Sequence, residues 1–341
     1  MAFQITFQPS NKIIFSDQDE SVLSAAIHQG VNIPYGCRNG ACGACKAKIL
    51  SGQVHYDTDI AGLSSQEIAD GYALLCCAKP DSDIQVECRE LSSENTIMPK
   101  IFPVRVEKLE RLSSDVIAMF LKVPVNQPMH FFAGQYIEFI LKDGSRRAFS
   151  MANPPHPGEM LELHLRHVPG GKFTDYVFNE LQEKTILRIE GPFGSFYLRN
   201  EIDKPIIFVA GGTGFAPIKS IIEDLIFKQN LNRPMHLYWG ARTAQDLYMA
   251  NVAKAWANHI PNFSFIPVLS SAENDLVWSG RRGFVHQAVL EDIQDFTDYQ
   301  VYCCGAPEMV KACLQGFTQQ GLSEQDFFAD SFNYAASPPA A

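Results

Sequence analysis

Pro34-Tyr35-Gly36-Cys37-Arg38-Asn39-Gly40-Ala41-Cys42-Gly43-Ala44-Cys45-Lys46 places three thiols at Cys-x4-Cys-x2-Cys, with glycines at 36, 40 and 43. That spacing suits a [2Fe-2S] cluster, whose two tetrahedral irons take four thiolates, one of them distant in sequence. Glycines fit such a loop, because a chain wrapped tightly round a cluster needs backbone angles that other residues avoid. The fourth thiolate is expected in Leu74-Leu75-Cys76-Cys77-Ala78-Lys79-Pro80, where either cysteine is chemically able. Zinc is a weaker reading, since zinc sites usually pair two short Cys or His motifs. A disulfide framework suits small secreted chains, and this chain does not read as one.

The chain has 341 residues, enough for two or three domains. With 46% hydrophobic and 19% charged residues, each domain is able to bury an ordinary core. The segment MAFQITFQPSNKIIF lacks a basic region followed by a long apolar run, so no signal peptide is expected. No apolar run of about 18 residues occurs, which argues against a membrane-spanning helix. Nine cysteines, several of them candidate ligands, fit a reducing cytoplasm. A formal charge of −10 gives nucleic-acid binding no electrostatic support. Residues 1–95 hold 12 Asp/Glu against 6 Lys/Arg, an imbalance able to steer this module toward a basic partner. Ordinary solubility charge is the alternative.

Phe3, Ile5 and Phe7 alternate with polar neighbours, and with Ile14 they predict a hairpin around Pro9-Ser10-Asn11. A short helix is expected from Ser21 to Gln29, capped by Asp19 or Ser21 and stopped by Gly30. The cluster loop, a strand at Lys46–Leu50 and a Ser51-Gly52 turn follow. This order resembles the β-grasp fold of plant-type [2Fe-2S] ferredoxins and assigns residues 1–92 to such a domain. The resemblance implies Cys76 as fourth ligand beside Cys37, Cys42 and Cys45, because that family places a proline four residues after its last cysteine, as Pro80 stands here. Cys77 and Cys88 are then packing residues.

Leu91–Lys100 is polar, ends near Pro99 and reads as a linker. Beyond it, Val104–Leu109, Val116–Val123, Gln135–Leu141 and Leu161–Val168 predict an antiparallel barrel over residues 99–201. Within it lie Arg147-Ala148-Phe149-Ser150 and Gly170-Gly171-Lys172-Phe173-Thr174. These resemble the two flavin signatures of the ferredoxin–NAD(P)H reductase superfamily. The likeness implies FAD, with Arg147 at the pyrophosphate, Phe149 beside the ribityl chain or ring, and Ser150 at flavin N5. Gly171, Lys172 and Thr174 would meet phosphate at a helix N-terminus. The superfamily more often has tyrosine where Phe149 stands, so one hydroxyl contact is missing.

Pro205–Ala210 is an apolar run suited to a strand buried on both faces of a parallel sheet. It enters Gly211-Gly212-Thr213-Gly214-Phe215-Ala216-Pro217 and a helix to about Gln229. This glycine-rich turn would aim amides at a phosphate, yet it is neither a Walker A loop nor a clean G-x-G-x-x-G. It resembles the superfamily's nicotinamide-nucleotide site, implying roles for Gly212, Thr213, Gly214 and Pro217. Strands at Met235–Gly240, Phe263–Leu269 and Gln300–Cys304, and a helix at Ala244–Asn258, complete an α/β parallel-sheet domain over residues 202–341. In Gly240-Ala241-Arg242-Thr243-Ala244-Gln245-Asp246, which follows the second strand, only Arg242 could pair a 2′-phosphate, with Asp246 opposing it, so NADH is expected over NADPH. Cys304-Gly305-Ala306-Pro307 matches a further superfamily signature and implies Cys304 near nicotinamide C4. Cys303 should face the other side of the sheet. A C-terminal aromatic packs on the flavin in such reductases; Phe332 is the candidate and Phe328 the rival.

Together the motifs give a multidomain chain similar to one-chain [2Fe-2S]/FAD reductases of oxygenase type, and closest to the CDP-6-deoxy-Δ3,4-glucoseen reductase group. The resemblance implies a cytoplasmic, monomeric oxidoreductase passing electrons from NADH through FAD and the cluster to a protein acceptor, an oxygenase or dehydratase component. Ser150, Cys304 and Phe332 are its implied catalytic groups. An iron-sulfur redox sensor or carrier, and a flavin reductase releasing reduced flavin, are the alternatives.

Overall fold

Alternating buried and exposed side chains build β1 (Ala2–Gln8) and β2 (Lys12–Asp17) into the expected hairpin. The structure is a computed structural model describing residues 2–91, 97–156, 160–271 and 278–332, and it divides at Met98/Pro99 into two units. In the first unit, α1 (Val22–His28) starts at Ser21, whose hydroxyl accepts from the Ser24 amide. Its stop, Gly30, has the left-handed backbone (φ +75°) that glycine adopts at least cost. Then come β3 (Lys46–Ser51), β4 (Val54–His55), α2 (Ser65–Ala69), β5 (Tyr72–Leu74), β6 (Lys79–Pro80) and β7 (Ile84–Glu87). The sheet runs β2-β1-β7-β3-β5, with β1 and β7 parallel and its other pairs antiparallel, while β4 and β6 form a separate ribbon. Helix α1 buries Val22, Leu23, Ala25 and Ala26 and packs along β2.

The second unit opens with β8 (Lys100–Arg111), so the linker's last residue is already strand. β9 (Val116–Lys122), β10 (Tyr136–Ile140), β11 (Arg146–Ser150), β12 (Leu161–Arg166), α3 (Lys172–Asn179) and β13 (Ile186–Phe193) follow. The order β11-β10-β13-β8-β9-β12 is antiparallel throughout. A bridge from Met151 to Leu163 joins its two edges into a barrel. Val104, Val106, Met119, Leu121, Ile137, Phe139 and Leu163 fill the interior, and Phe173 of α3 plugs it.

The rest of this unit holds β14 (Ile206–Gly211), α4 (Phe215–Phe227), β15 (Met235–Ala241), α5 (Ala250–His259), β16 (Phe263–Leu269), β17 (Arg281–Arg282), α6 (Val285–Asp292), β18 (Gln300–Gly305), α7 (Pro307–Gln319) and β19 (Phe327–Ser331). All six strands are parallel, in the order β17-β16-β15-β14-β18-β19. One core lies on the α4 face, around Phe208, Phe215 and Trp239; another lies behind it, around Val209, Val289 and Phe317. The expected helix from Ala244 begins instead at Ala250. Asp246 turns back to accept from the amide and hydroxyl of Thr243, which closes a single 3-10 turn over Ala244–Asp246. No helix among the described residues is long and apolar enough to cross a membrane. The proline-bearing tail from Asn333 to Ala341, which its sequence would make mobile, lies outside the described residues.

Gly214 lets the turn after β14 press on β18, since a Cβ there would stand 2.0 Å from the Cys304 carbonyl oxygen. Gly214→Ala should therefore cost roughly 1–3 kcal/mol through overpacking. Denaturant unfolding of the second unit checks this, and a variant as stable as the parent would show that β18 gives way freely.

Candidate functional site

The cysteine loop brings its thiols into pairs. The Cys37 amide lies 3.5 Å from the Cys42 sulfur, and the Cys42 amide 3.4 Å from the Cys37 sulfur. The Cys42 thiol and amides of Asn39, Cys42 and Ala41 overcome burial and bring the Cys37 thiol down to about 6. Cys42 is pushed up by its hydrogen bond with Cys37 and by burial. Cys76 is pushed up chiefly by its contact with Cys45, and its sulfur stands 3.6 Å from that of Cys77. The loop thiols and Cys76 thus lie close enough to influence one another, a donor set of the kind that fits a [2Fe-2S] cluster. Gly40, at φ +76°, is held by packing as well as conformation: a Cβ would lie 3.1 Å from Ile60 and 3.3 Å from the Cys77 sulfur. Burial and the charge of Glu90 push Cys88 up to about 12, as befits a packing residue.

On β11, alternation separates Arg146 from Arg147. Arg146 pairs with Glu138 (3.1 Å) and Glu190 on one side. Arg147, on the other side, donates to the Arg146 carbonyl at 2.7 Å, and Phe149 joins Phe139 and Phe173 in an aromatic trio. Ser150 is 5% exposed, and its hydroxyl has no protein partner. A buried orphan hydroxyl is costly unless a ligand completes it, so the barrel fits a flavin with polar ring edges. The first turn of α3 has Gly171 as N-cap, with no side chain bonding its amides. Lys172 is engaged by Asp143 at 3.1 Å. The Thr174 hydroxyl points into its own loop, donating to the Val168 carbonyl at 3.0 Å, so this site offers amides rather than side chains.

A cleft of ≈ 480 Å³ opens at the C-terminal ends of the parallel strands, where the order reverses between β14 and β18. Ligands of open parallel sheets bind at this topological position. Gly212, Thr213, Arg242, Ala306 and Phe332 line it. Gly211 and Gly305 let the two strand ends meet, since a Cβ on Gly305 would lie 3.1 Å from Gly211. Pro217 sits in the first turn of α4, where its missing N–H costs nothing, and it is not among the lining residues. Cys304 is fully buried in the α4-side core and does not line the cleft, whereas Phe332 does. Cys303 lies in the opposite core, as alternation predicts. The Phe332 amide donates to the Gly305 carbonyl at 3.0 Å. Phe328 stacks on Tyr302 at 4.8 Å and packs against the core.

Two features of the site are not visible in the sequence. Arg166, the last residue of β12, lines the cleft beside Gly212 and pairs with Asp115 (3.3 Å) and Asp246 (3.7 Å). Asp246 is thereby turned toward Arg166 and Thr243. The second is a buried polar chain. Tyr248 lies 3.0 Å from His164 Nδ1, His164 Nε2 lies 2.8 Å from Glu162, and Lys219 reaches Glu162 (3.0 Å), Glu223 (2.9 Å) and the Ala152 carbonyl (3.1 Å). Only the alternation of Glu162 and His164 with leucines hinted at it, and that pattern reads as a solvated strand face.

These features define an iron-sulfur flavoprotein oxidoreductase that uses a pyridine nucleotide. Known domain families match in the same order: a 2Fe-2S iron-sulfur cluster binding domain over residues 5–81, an oxidoreductase FAD-binding domain over 103–197, and an oxidoreductase NAD-binding domain over 208–315. A CDP-6-deoxy-L-threo-D-glycero-4-hexulose-3-dehydrase reductase of Yersinia pestis is 40% identical over 332 residues, 97% of this chain and 99% of its own length. Terephthalate 1,2-dioxygenase reductase component 2 of Comamonas sp. is 37% identical over 92% of both chains. A solved Amycolatopsis cytochrome P450 reductase shares the fold with a TM-score of 0.77 at 31% identity, covering 97% of this chain and 98% of that one. The chain belongs to this family of one-chain reductases, in which a [2Fe-2S] domain precedes FAD- and NAD-binding domains. It is an oxidoreductase carrying electrons from NADH through FAD to the cluster.

The buried chain gives a pH test. Burial alone would raise Glu162, but the His164 hydrogen bond and the Lys219 charge outweigh it and hold the carboxyl at about 2, against an ordinary 4.5. A depressed folded value means a contribution that is whole above about pH 4.5 and lost as pH falls toward 2. Its size is roughly 3 kcal/mol at about 1.36 kcal/mol per pH unit. His164, kept neutral mainly by burial, adds a loss in the same direction once the unfolded imidazole protonates below its ordinary 6.5. Lys219 and Glu223 face the same cluster, and Tyr248 closes it behind His164. Urea unfolding at stepped pH should show this acid slope in the parent and a flatter one in Glu162→Gln. Equal slopes would deny the carboxylate its role.

Proposed function

We propose that this chain is the reductase component of a bacterial-type oxygenase or deoxysugar dehydratase system, delivering electrons one at a time to a protein partner. The observation carrying this reading is the placement of three cofactor sites on one chain, whose near-complete length matches reductases of both kinds. The modules are residues 1–92, 99–201 and 202–341, acting as a cytoplasmic monomer.

In this reading Cys37, Cys42, Cys45 and Cys76 hold the cluster, and the Cys45–Cys76 contact supports the choice of Cys76 over Cys77. Arg147, Phe149, Ser150 and the amides after Gly171 hold FAD; Gly212, Thr213, Arg242 and Gly305 hold the nucleotide. When bound, the flavin supplies the change from two-electron hydride acceptance to one-electron delivery. The protein's own work is positional. Ser150 presents its unpartnered hydroxyl at the flavin edge, Phe332 presents its ring where the nicotinamide must enter, and Cys304 backs the strand end behind Gly305. Each Cys→Ala change at 37, 42, 45 or 76 should remove most of the cluster's visible absorption with flavin retained, and Cys77→Ala should leave both. Loss of the cluster in Cys77→Ala with its survival in Cys76→Ala would reverse the assignment.

The ferredoxin module is the electron exit. A fragment from Met98 onward should bind FAD and reduce ferricyanide with NADH, yet reduce cytochrome c poorly; the unit boundary at Met98/Pro99 supports making it. If the acidic excess of residues 1–95 steers docking, partner reduction by the whole chain should slow between 0.01 and 0.15 M salt, as the Debye length falls from about 30 Å to about 8 Å. A fragment that serves a protein acceptor as fast as the whole chain would make the cluster a sensor or a structural element.

A further inference from the structure

The flavin signature and the nucleotide signature end in segments that are bonded to each other. After Ser150 the chain runs Met151-Ala152-Asn153; after Pro217 it runs Ile218-Lys219-Ser220. Lys219 donates to the Ala152 carbonyl at 3.1 Å, and the Ser220 hydroxyl donates to the Asn153 carbonyl at 2.7 Å. Two neighbouring residues of α4 therefore grip two neighbouring carbonyls just past the flavin strand. The grip is braced from the barrel, because the Ala152 amide donates to the Glu162 carbonyl (2.7 Å) and the Glu162 amide to the Asn153 side chain (2.8 Å). Glu162 in turn takes a second bond from Lys219.

Lys219 is completely committed. An ammonium has three donors, and these meet the Ala152 carbonyl, Glu162 and Glu223. Its side chain is 6% exposed, so water gives it no alternative geometry. A group fixed in three directions at a dry contact transmits position with little slack. Helix α4 begins at Phe215, directly after Gly212–Gly214 on the cleft floor. Any shift of Lys219 or Ser220 is carried one to two turns back to that loop.

We propose that Lys219 and Ser220 are positioning residues for hydride transfer: through the carbonyls of Ala152 and Asn153 they set the separation between the flavin-edge strand and the nicotinamide cleft. The proposal rests on the flavin and nucleotide sites assigned above. Neither residue lines the cleft, so each acts through geometry rather than contact. Hydride transfer requires reacting atoms about 3–3.5 Å apart, and a misplacement of about 1 Å costs on the order of a hundredfold. Loss of the clasp should thus fall on the rate of transfer and spare the affinity.

The test is anaerobic stopped-flow bleaching of the flavin by NADH in the full-length holoenzyme. Lys219→Met should lower the limiting rate at saturating NADH by about tenfold or more, with the half-saturating concentration changed less than about threefold, and should weaken the nicotinamide–flavin charge-transfer absorbance. Ser220→Ala, a milder change, should lower the rate by about threefold and covers the case in which Lys219→Met does not fold. Lys228→Met, at the exposed C-cap of the same helix, should match the parent. Amide exchange in the flavin-free protein gives a readout apart from turnover: residues 150–154 and 212–220 should exchange faster in both clasp variants. A variant that bleaches at the parental rate, loses only affinity, or exchanges like the parent overturns the proposal. Failure of the parent itself to bleach with NADH would instead overturn the site assignments.

Discussion

Lys219 is the most heavily bonded of the polar side chains that join the barrel to the parallel-sheet half. A buried ammonium is tolerated when its charge is balanced and every donor is used, since an unpaired ion in a dry contact costs several kcal/mol. Here two carboxylates and a carbonyl satisfy it. Packing alone admits small slides of helix against strand. Directed bonds from a fixed ammonium do not. Electron transfer between two bound molecules needs that restriction, because neither the barrel nor the parallel sheet alone defines where the other's ligand lies.

The same rule governs the cysteine loop at a smaller scale. Backbone amides pointed at sulfur and a glycine in the left-handed region shape the loop before any iron is considered. Cys37 is drawn toward its thiolate by Cys42 and by those amides, while the hydrogen bonds of Cys42 to Cys37 and of Cys76 to Cys45, together with burial, hold these two in the thiol form. Cysteine ligands bind iron as thiolates, so cluster binding is coupled to loss of the thiol protons.

Local chemistry explains why much of this was legible in the sequence. The cysteine spacing, Arg147–Ser150, Gly211–Pro217 and Cys304–Pro307 are contiguous strings, and contiguous strings encode turns and strand ends. The hairpin, the α1 cap at Ser21, the N-terminus of α3 and the opposed faces of Cys303 and Cys304 follow from the same local rules. What escaped was long-range. Arg166 meets Asp246 across 80 positions and Lys219 meets Glu162 across 57, and no periodicity announces such pairs. The helix expected from Ala244 failed for a local reason: Asp246 satisfied Thr243 rather than extending the helix.

Cys304 shows how far a motif constrains a site. Its string sits at the predicted strand end, yet the thiol points into the core with Phe215 and Trp239, and burial keeps it protonated. The cleft itself is lined there by Ala306 and by Phe332, whose amide is tied to Gly305, and the lack of a side chain at Gly305 lets β14 and β18 converge. A ring can be displaced at the cost of its contacts. A buried thiol moves only with its strand. Phe332 is thus a half-buried side chain lining the cleft, and the strand end behind it is buried throughout.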